Sequence, residues 1–71
     1  MKHRLLPGAA YDFFVRDNRD GEESKYFDTL AEARAVAQVW KRRLAREDRC
    51  VIQVCWYLNE RKILALLRGA R

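Results

Sequence analysis

The sequence predicts an α+β fold: a single ββαββ domain whose four-stranded antiparallel sheet, of order 2-1-3-4, carries one helix on one face. Three observations predict it. Residues 11–17 alternate with period two, Thr29 opens a segment with apolar residues at helical spacing, and residues 50–67 (CVIQVCWYLNERKILALL) read as two apolar runs about a turn at Asn59-Glu60.

The chain has 71 residues, near the size at which one core is only marginally sufficient. Apolar residues at 49% and charged residues at 35% describe a folded domain rather than a disordered tail. Residues 1–9 read as an N-terminal arm and residues 10–71 as the domain, with no repeat or linker dividing it.

In YDFFVRD, Tyr11, Phe13 and Val15 alternate with Asp12, Phe14 and Arg16, as a strand requires. Asp20-Gly21 then signals a turn, because glycine takes positive φ at little cost. SKYF reads as a short returning strand, so residues 10–27 form a hairpin with an acidic tip, or one strand followed by a loop. Thr29-Leu30-Ala31-Glu32 is a capping-box pattern, from which a helix is expected to run to about Arg46. Leu30, Ala33, Val36, Ala37, Trp40 and Leu44 share its core side, with Arg34, Lys41, Arg42 and Arg46 opposite.

Pairing the last two predicted strands about Asn59-Glu60 sets Trp56 opposite Ile63, Val54 opposite Ala65 and Ile52 opposite Leu67. One face is then wholly apolar and suits a core. The other carries Val51, Gln53, Cys55, Tyr57, Lys62, Leu64, Leu66 and Arg68. The order 2-1-3-4 leaves the short SKYF strand at an edge and the helix over a single face.

Several functions are disfavoured. No apolar run approaches the roughly 18 residues that span a bilayer, and MKHRLLPGAA lacks a signal peptide's apolar centre, so a cytoplasmic location and no membrane partner are expected. Cys50 and Cys55, read as one strand, would point to opposite faces roughly 17 Å apart and could not bridge each other. With one histidine, His3, no metal site is expected and no cofactor is implied. One serine, Ser24, has no base beside it, the carboxylates cluster at a turn, and Gly8, Gly21 and Gly69 lie too far apart for a phosphate loop. The expectation is that this chain is not an enzyme.

Surface recognition remains. The formal charge is +5, distributed unevenly: residues 17–28 hold five acids against Arg19 and Lys25, whereas residues 34–49 hold six bases against Glu47 and Asp48. Those six, Arg34, Lys41, Arg42, Arg43, Arg46 and Arg49, form a candidate anion or nucleic-acid surface, or a solvated helix face. The candidate partner-binding set is the uncovered sheet face, Phe14, Val51, Cys55, Tyr57, Leu64 and Leu66. Aromatics among bases on an open sheet can stack nucleic-acid bases, but an aliphatic patch more often meets protein. The arm could also cover it, with Leu5 and Leu6 on Leu64 and Leu66.

The first reading is a small non-enzymatic module docking on a larger protein or nucleoprotein partner. A nucleic-acid-binding protein using the basic helix is the alternative, and a homodimer burying its open face is the third. In size, single-domain economy and lack of reactive groups, the chain resembles the small accessory proteins of phages and other mobile elements, including anti-CRISPR inhibitors. That resemblance, which covers no motif, implies an inhibitory role.

Overall fold

In the computed structural model, residues 8–69 are described; the Leu5 and Leu6 cover expected from the arm lies outside them. The chain opens with a 3-10 turn, Gly8–Ala10, and continues into β1 (Tyr11–Asp17), β2 (Glu22–Glu23), α1 (Leu30–Arg42), a second 3-10 turn (Arg46–Val51), β3 (Ile52–Leu58) and α2 (Glu60–Gly69). The sheet is three-stranded and antiparallel, ordered β2-β1-β3.

The class is α+β, but the four-stranded ββαββ sheet with one helix is corrected: residues 60–69 form a helix. Arg61, Lys62, Leu64, Ala65, Leu66 and Leu67 all favour helix, and Ile63 alone is β-branched. Asn59, expected in a hairpin turn, instead caps that helix. Its Oδ1 accepts the backbone N–H of Arg61 at 2.9 Å and of Lys62 at 3.3 Å. The partner of β3 is therefore β1, with Val15 opposite Val54 and Phe13 opposite Trp56, so the expected order holds for the first three strands.

The hairpin from β1 to β2 forms about Gly21, whose φ of 76° suits glycine. Its returning arm is not the regular SKYF strand expected. Asp17 faces Glu22 and Arg16 faces Glu23, but farther along Phe13 bridges Phe27, one residue out of that register. An extra residue is thus inserted between Glu23 and Phe27, a β-bulge. Ser24 holds it: its Oγ accepts the Val15 N–H at 2.8 Å and donates to the Lys25 carbonyl at 2.8 Å, while its own N–H donates to the Val15 carbonyl.

Thr29 caps α1 as its sequence predicts. Its hydroxyl accepts the Glu32 N–H at 3.2 Å, and the Glu32 carboxylate accepts the Thr29 N–H at 3.2 Å. The helix stops at Arg42, short of Arg46, as Arg43 and Leu44 donate to the carbonyls of Trp40 and Lys41 and Ala45 turns extended. Ala33 and Ala37 are buried, their small side chains letting α1 lie close on the sheet, where Phe13 and Val15 are fully enclosed. Leu30, Val36, Trp40 and Leu44 complete the face predicted for the core.

Helix α2 packs at the end of the sheet, against Gly8–Ala10, with Ile63 and Leu66 on the core. Lys62 ties it down. Its ammonium lies 2.8 Å from Asp12 and 3.3 Å from Asp28, and donates to the Tyr11 carbonyl at 2.7 Å. Asn59 adds a 2.7 Å bond from Nδ2 to Asp12 and donates its backbone N–H to the Ala10 carbonyl.

Candidate functional site

Register alone divides the sheet into two faces. Tyr11, Phe13, Val15 and Asp17 stand opposite Leu58, Trp56, Val54 and Ile52, on the face where α1 packs. Asp12, Phe14 and Arg16 stand opposite Tyr57, Cys55 and Gln53 on the other. The bulge adds one member to that second face. Had the register of Glu22 and Glu23 continued, Tyr26 would oppose Phe13; the inserted residue gives that place to Phe27 and turns Tyr26 onto Phe14.

The result is a three-ring cluster. Tyr26 stacks on Phe14 with centroids 5.0 Å apart and planes 14° from parallel, and meets Tyr57 edge-on at 5.1 Å and 70°. Phe14 and Tyr57 complete the triangle at 6.1 Å. Each such pair contributes ~0.5–1.5 kcal/mol beyond area burial. Phe14 is sheltered to 9% exposure, while Tyr26 at 44% and Tyr57 at 46% form the accessible surface. Interaction with the Tyr57 hydroxyl, then burial, then the negative field of Glu23 and Asp12, pushes the Tyr26 phenol up to about 12. Both rings therefore present a flat apolar body with a polar tip.

Charged pairs frame the cluster. Arg16 reaches Glu23 at 3.2 Å and donates from Nε to Asn18 at 3.0 Å. The Lys62 ammonium, helped by the Asn59 amide, holds Asp12 below its ordinary carboxylate value despite partial burial. Burial pushes the Cys55 thiol up, which keeps it protonated and poorly nucleophilic.

Of the six residues expected on the open face, the structure brings together three: Phe14, Cys55 and Tyr57. Val51 ends the second 3-10 turn and Leu66 lies on α2, both half-buried against the core, and Leu64 is exposed on α2. Leu64 and Leu66 leave the sheet face because residues 60–69 are helical, and Val51 because β3 begins only at Ile52. Sequence reasoning missed Tyr26, because a one-residue bulge decides its face and no turn residue announces it. The adjacent aromatics Tyr26-Phe27 were the one usable signal, since successive residues of a strand serve opposite faces.

The six basic residues divide differently from expectation. Arg34, Lys41 and Arg42 lie on α1, Arg43 is its C-cap, and Arg46 and Arg49 belong to the 3-10 turn, so they do not form one helical stripe. Among the described residues none of the six is in an ion pair, whereas Arg16, Arg19 and Lys62 all are. Beside them a pocket of about 170 Å³ is lined by Asp17, Arg19, Glu22, Trp40, Arg43, Leu44 and Ile52. Its buried carboxylate is already satisfied. Arg19 donates to Asp17 from Nη2 at 2.6 Å and from its backbone N–H at 3.0 Å, which lowers the Asp17 pKa.

Cys50 lies in the 3-10 turn and Cys55 in β3, so they do not share the strand expected of them, and both thiols are free. Among the described residues no three His, Cys, Asp or Glu side chains are grouped to hold a metal ion. No described helix is long and apolar enough to cross a membrane. Comparison with known proteins finds no family model, no curated protein and no solved structure that matches this chain.

Proposed function

We propose that this chain is a small non-enzymatic binding module that docks on a larger protein or nucleoprotein partner through its open sheet face. One observation carries the reading: Tyr26 and Tyr57, each almost half exposed, stand side by side over a buried Phe14 on the face opposite α1. Paired tyrosines offer large contact area with few rotamers to immobilise, and their hydroxyls can bond at the rim. The six bases, none of them in an ion pair among the described residues, supply long-range attraction to an acidic partner. Blocking that partner's own surface would make the module an inhibitor. Capture of a partner at moderate salt by wild type and by Tyr57→Asp tests the reading: the variant should lose it.

A nucleic-acid-binding role is the second reading, favoured by those same bases. It requires affinity to fall steeply with salt, with a slope of ~0.9 per neutralised phosphate on duplex DNA. The pair Lys41→Ala and Arg42→Ala should then flatten the slope by about 2, and a slope that does not change removes this reading.

A further inference from the structure

The open sheet face has a charge pattern of its own. Along β1 that face presents Arg16, Phe14 and Asp12 in successive rows, with Glu23 beside Arg16 and Tyr57 beside Asp12. The ring cluster over Phe14 therefore lies between two carboxylates. Both reach it: after the Tyr57 hydroxyl and burial, Glu23 and Asp12 push the Tyr26 phenol up. The two differ in what they have left to offer. Asp12 is filled, by Lys62 at 2.8 Å on Oδ1 and by Asn59 at 2.7 Å on Oδ2. Glu23 meets Arg16 through Oε2 alone, at 3.2 Å and with side chains 38% and 44% exposed, a pair that water and salt weaken. Its Oε1 accepts no bond among the described residues. Arg16 itself is drawn to the hairpin turn, where its Nε donates to Asn18 at 3.0 Å. The exposed rings carry no cation either. Lys25 lies over Phe27 at 5.8 Å, but no described lysine or arginine lies over Tyr26 or Tyr57.

We infer that the open face receives an arginine side chain of a protein partner, its guanidinium lying on the exposed rings of Tyr26 and Tyr57 and donating to Glu23 Oε1. The inference rests on the docking reading above and names the group that docks. The negative faces of tyrosine rings attract a cation within about 6 Å of the centroid. Arginine suits the place better than lysine. Its planar, weakly hydrated guanidinium can stack on a ring and still direct in-plane donors at a carboxylate, whereas an ammonium is a compact, strongly hydrated charge.

A nucleic-acid base could stack on the same rings, but its phosphates would meet Glu23 and Asp12, so the charge pattern favours protein. Tyrosine and arginine are also the residues that protein interfaces enrich at their centres. The six bases of α1 and the 3-10 turn act from other elements and at long range. A partner that is acidic overall can still present one arginine at the contact itself.

NMR titration of the full chain with the peptide Ac-Gly-Arg-Gly-NH2, at constant ionic strength, tests the inference. An exposed cation–π contact is weak, so the titration runs to ~50 mM. The arginine peptide should shift the ring protons of Tyr26 and Tyr57 saturably. The same peptide with citrulline, which is planar but uncharged, should not. Glu23→Gln should weaken binding about threefold, the worth of an exposed ion pair, and Tyr26→Leu should abolish it. A chain of net charge +5 attracts anions in general, so an arginine preference at these rings has to be local. Absence of saturable shifts overturns the inference, as does equal binding of the citrulline or lysine peptide. Shifts of the same rings by Ac-Gly-Glu-Gly-NH2 or by oligo-dT in place of the arginine peptide also overturn it, and an unchanged affinity in Glu23→Gln removes the role of that carboxylate. Because the peptide stands in for no particular partner, its failure leaves the docking reading in place; that reading fails instead if Tyr57→Asp retains the captured protein.

Discussion

Tyr26 lies nearly parallel to Phe14 at 5.0 Å, although Tyr26 would fall on the opposite face of the sheet without the residue inserted after Glu23. The hydroxyl of Ser24 fixes that insertion by taking the N–H of the buried Val15. Ser24→Ala should thus do two things. It leaves a buried backbone donor unsatisfied, which costs about 1–3 kcal/mol, and it loosens the placement of Tyr26. Urea denaturation measures the first and the near-ultraviolet dichroism of the tyrosines the second. Both signals should fall together, and an unchanged dichroism with lowered stability would separate the ring stack from the bulge.

The Tyr26 phenol, pushed up to about 12, should resist ionisation in the folded protein. In a spectrophotometric titration at ~295 nm, with folding followed by circular dichroism, the signal lost on Tyr26→Phe should be a component that titrates at about 12. Tyr57→Phe should bring that component down towards the ordinary tyrosine value near 10, because the Tyr57 hydroxyl is the largest cause of the shift. A Tyr26 component that titrates near 10 in wild type would show that the two hydroxyls do not interact.

Lys62 carries the attachment of α2, and its loss should be felt in both stability and pH dependence. With Asp12 and Lys62 largely shielded from water, Lys62→Met should cost about 1–3 kcal/mol. The Asp12 pKa is lowered on folding, so its contribution is complete above the ordinary carboxylate value near 4 and is lost as pH falls through the lower folded value. Lys62 is raised on folding, since its bonds to Asp12 and Asp28 outweigh the larger single effect of burial; its contribution fades as pH rises through that higher value. Stability measured by urea at pH 7, 4 and 3 should drop less in Asp12→Asn than in wild type.

Asn59→Ala removes the cap of α2 together with the amide bond to Asp12. Caps of this kind are worth about 1 kcal/mol, and a shorter α2 should show as reduced helical dichroism at 222 nm before the main thermal transition. A single transition with full helical signal would mean that Lys62 and the apolar face of α2 suffice to hold it.

Much of the molecule was legible in the residues. Thr29 and Glu32 announce the start of α1, and Leu30, Ala33, Val36, Ala37, Trp40 and Leu44 reach the core as their spacing requires. The antiparallel order of the first three strands followed from the helix reversing the chain. The segment after Asn59 was misread because Ile63, Leu64, Ala65, Leu66 and Leu67 are apolar at five successive positions, a run that satisfies strand and helix periods equally. Helix propensity and the capping asparagine decide between them. On the candidate surface, alternation in two strands gave Phe14, Cys55 and Tyr57, but Tyr26 depended on a bulge, Leu64 and Leu66 depended on a strand that does not form, and Val51 falls one residue before β3 begins.

The correction to α2 also sharpens the test of docking. Leu64 and Tyr57, once expected on one face, now lie on different elements, so one can be changed as a control for the other. The most direct measurement is capture of a partner from the native cell at moderate salt after nuclease treatment, using tagged wild type, Tyr57→Asp and Leu64→Lys, all verified as folded. Docking through the open face predicts that wild type and Leu64→Lys retain the same protein and Tyr57→Asp loses it. Equal retention of that protein by Tyr57→Asp would contradict it.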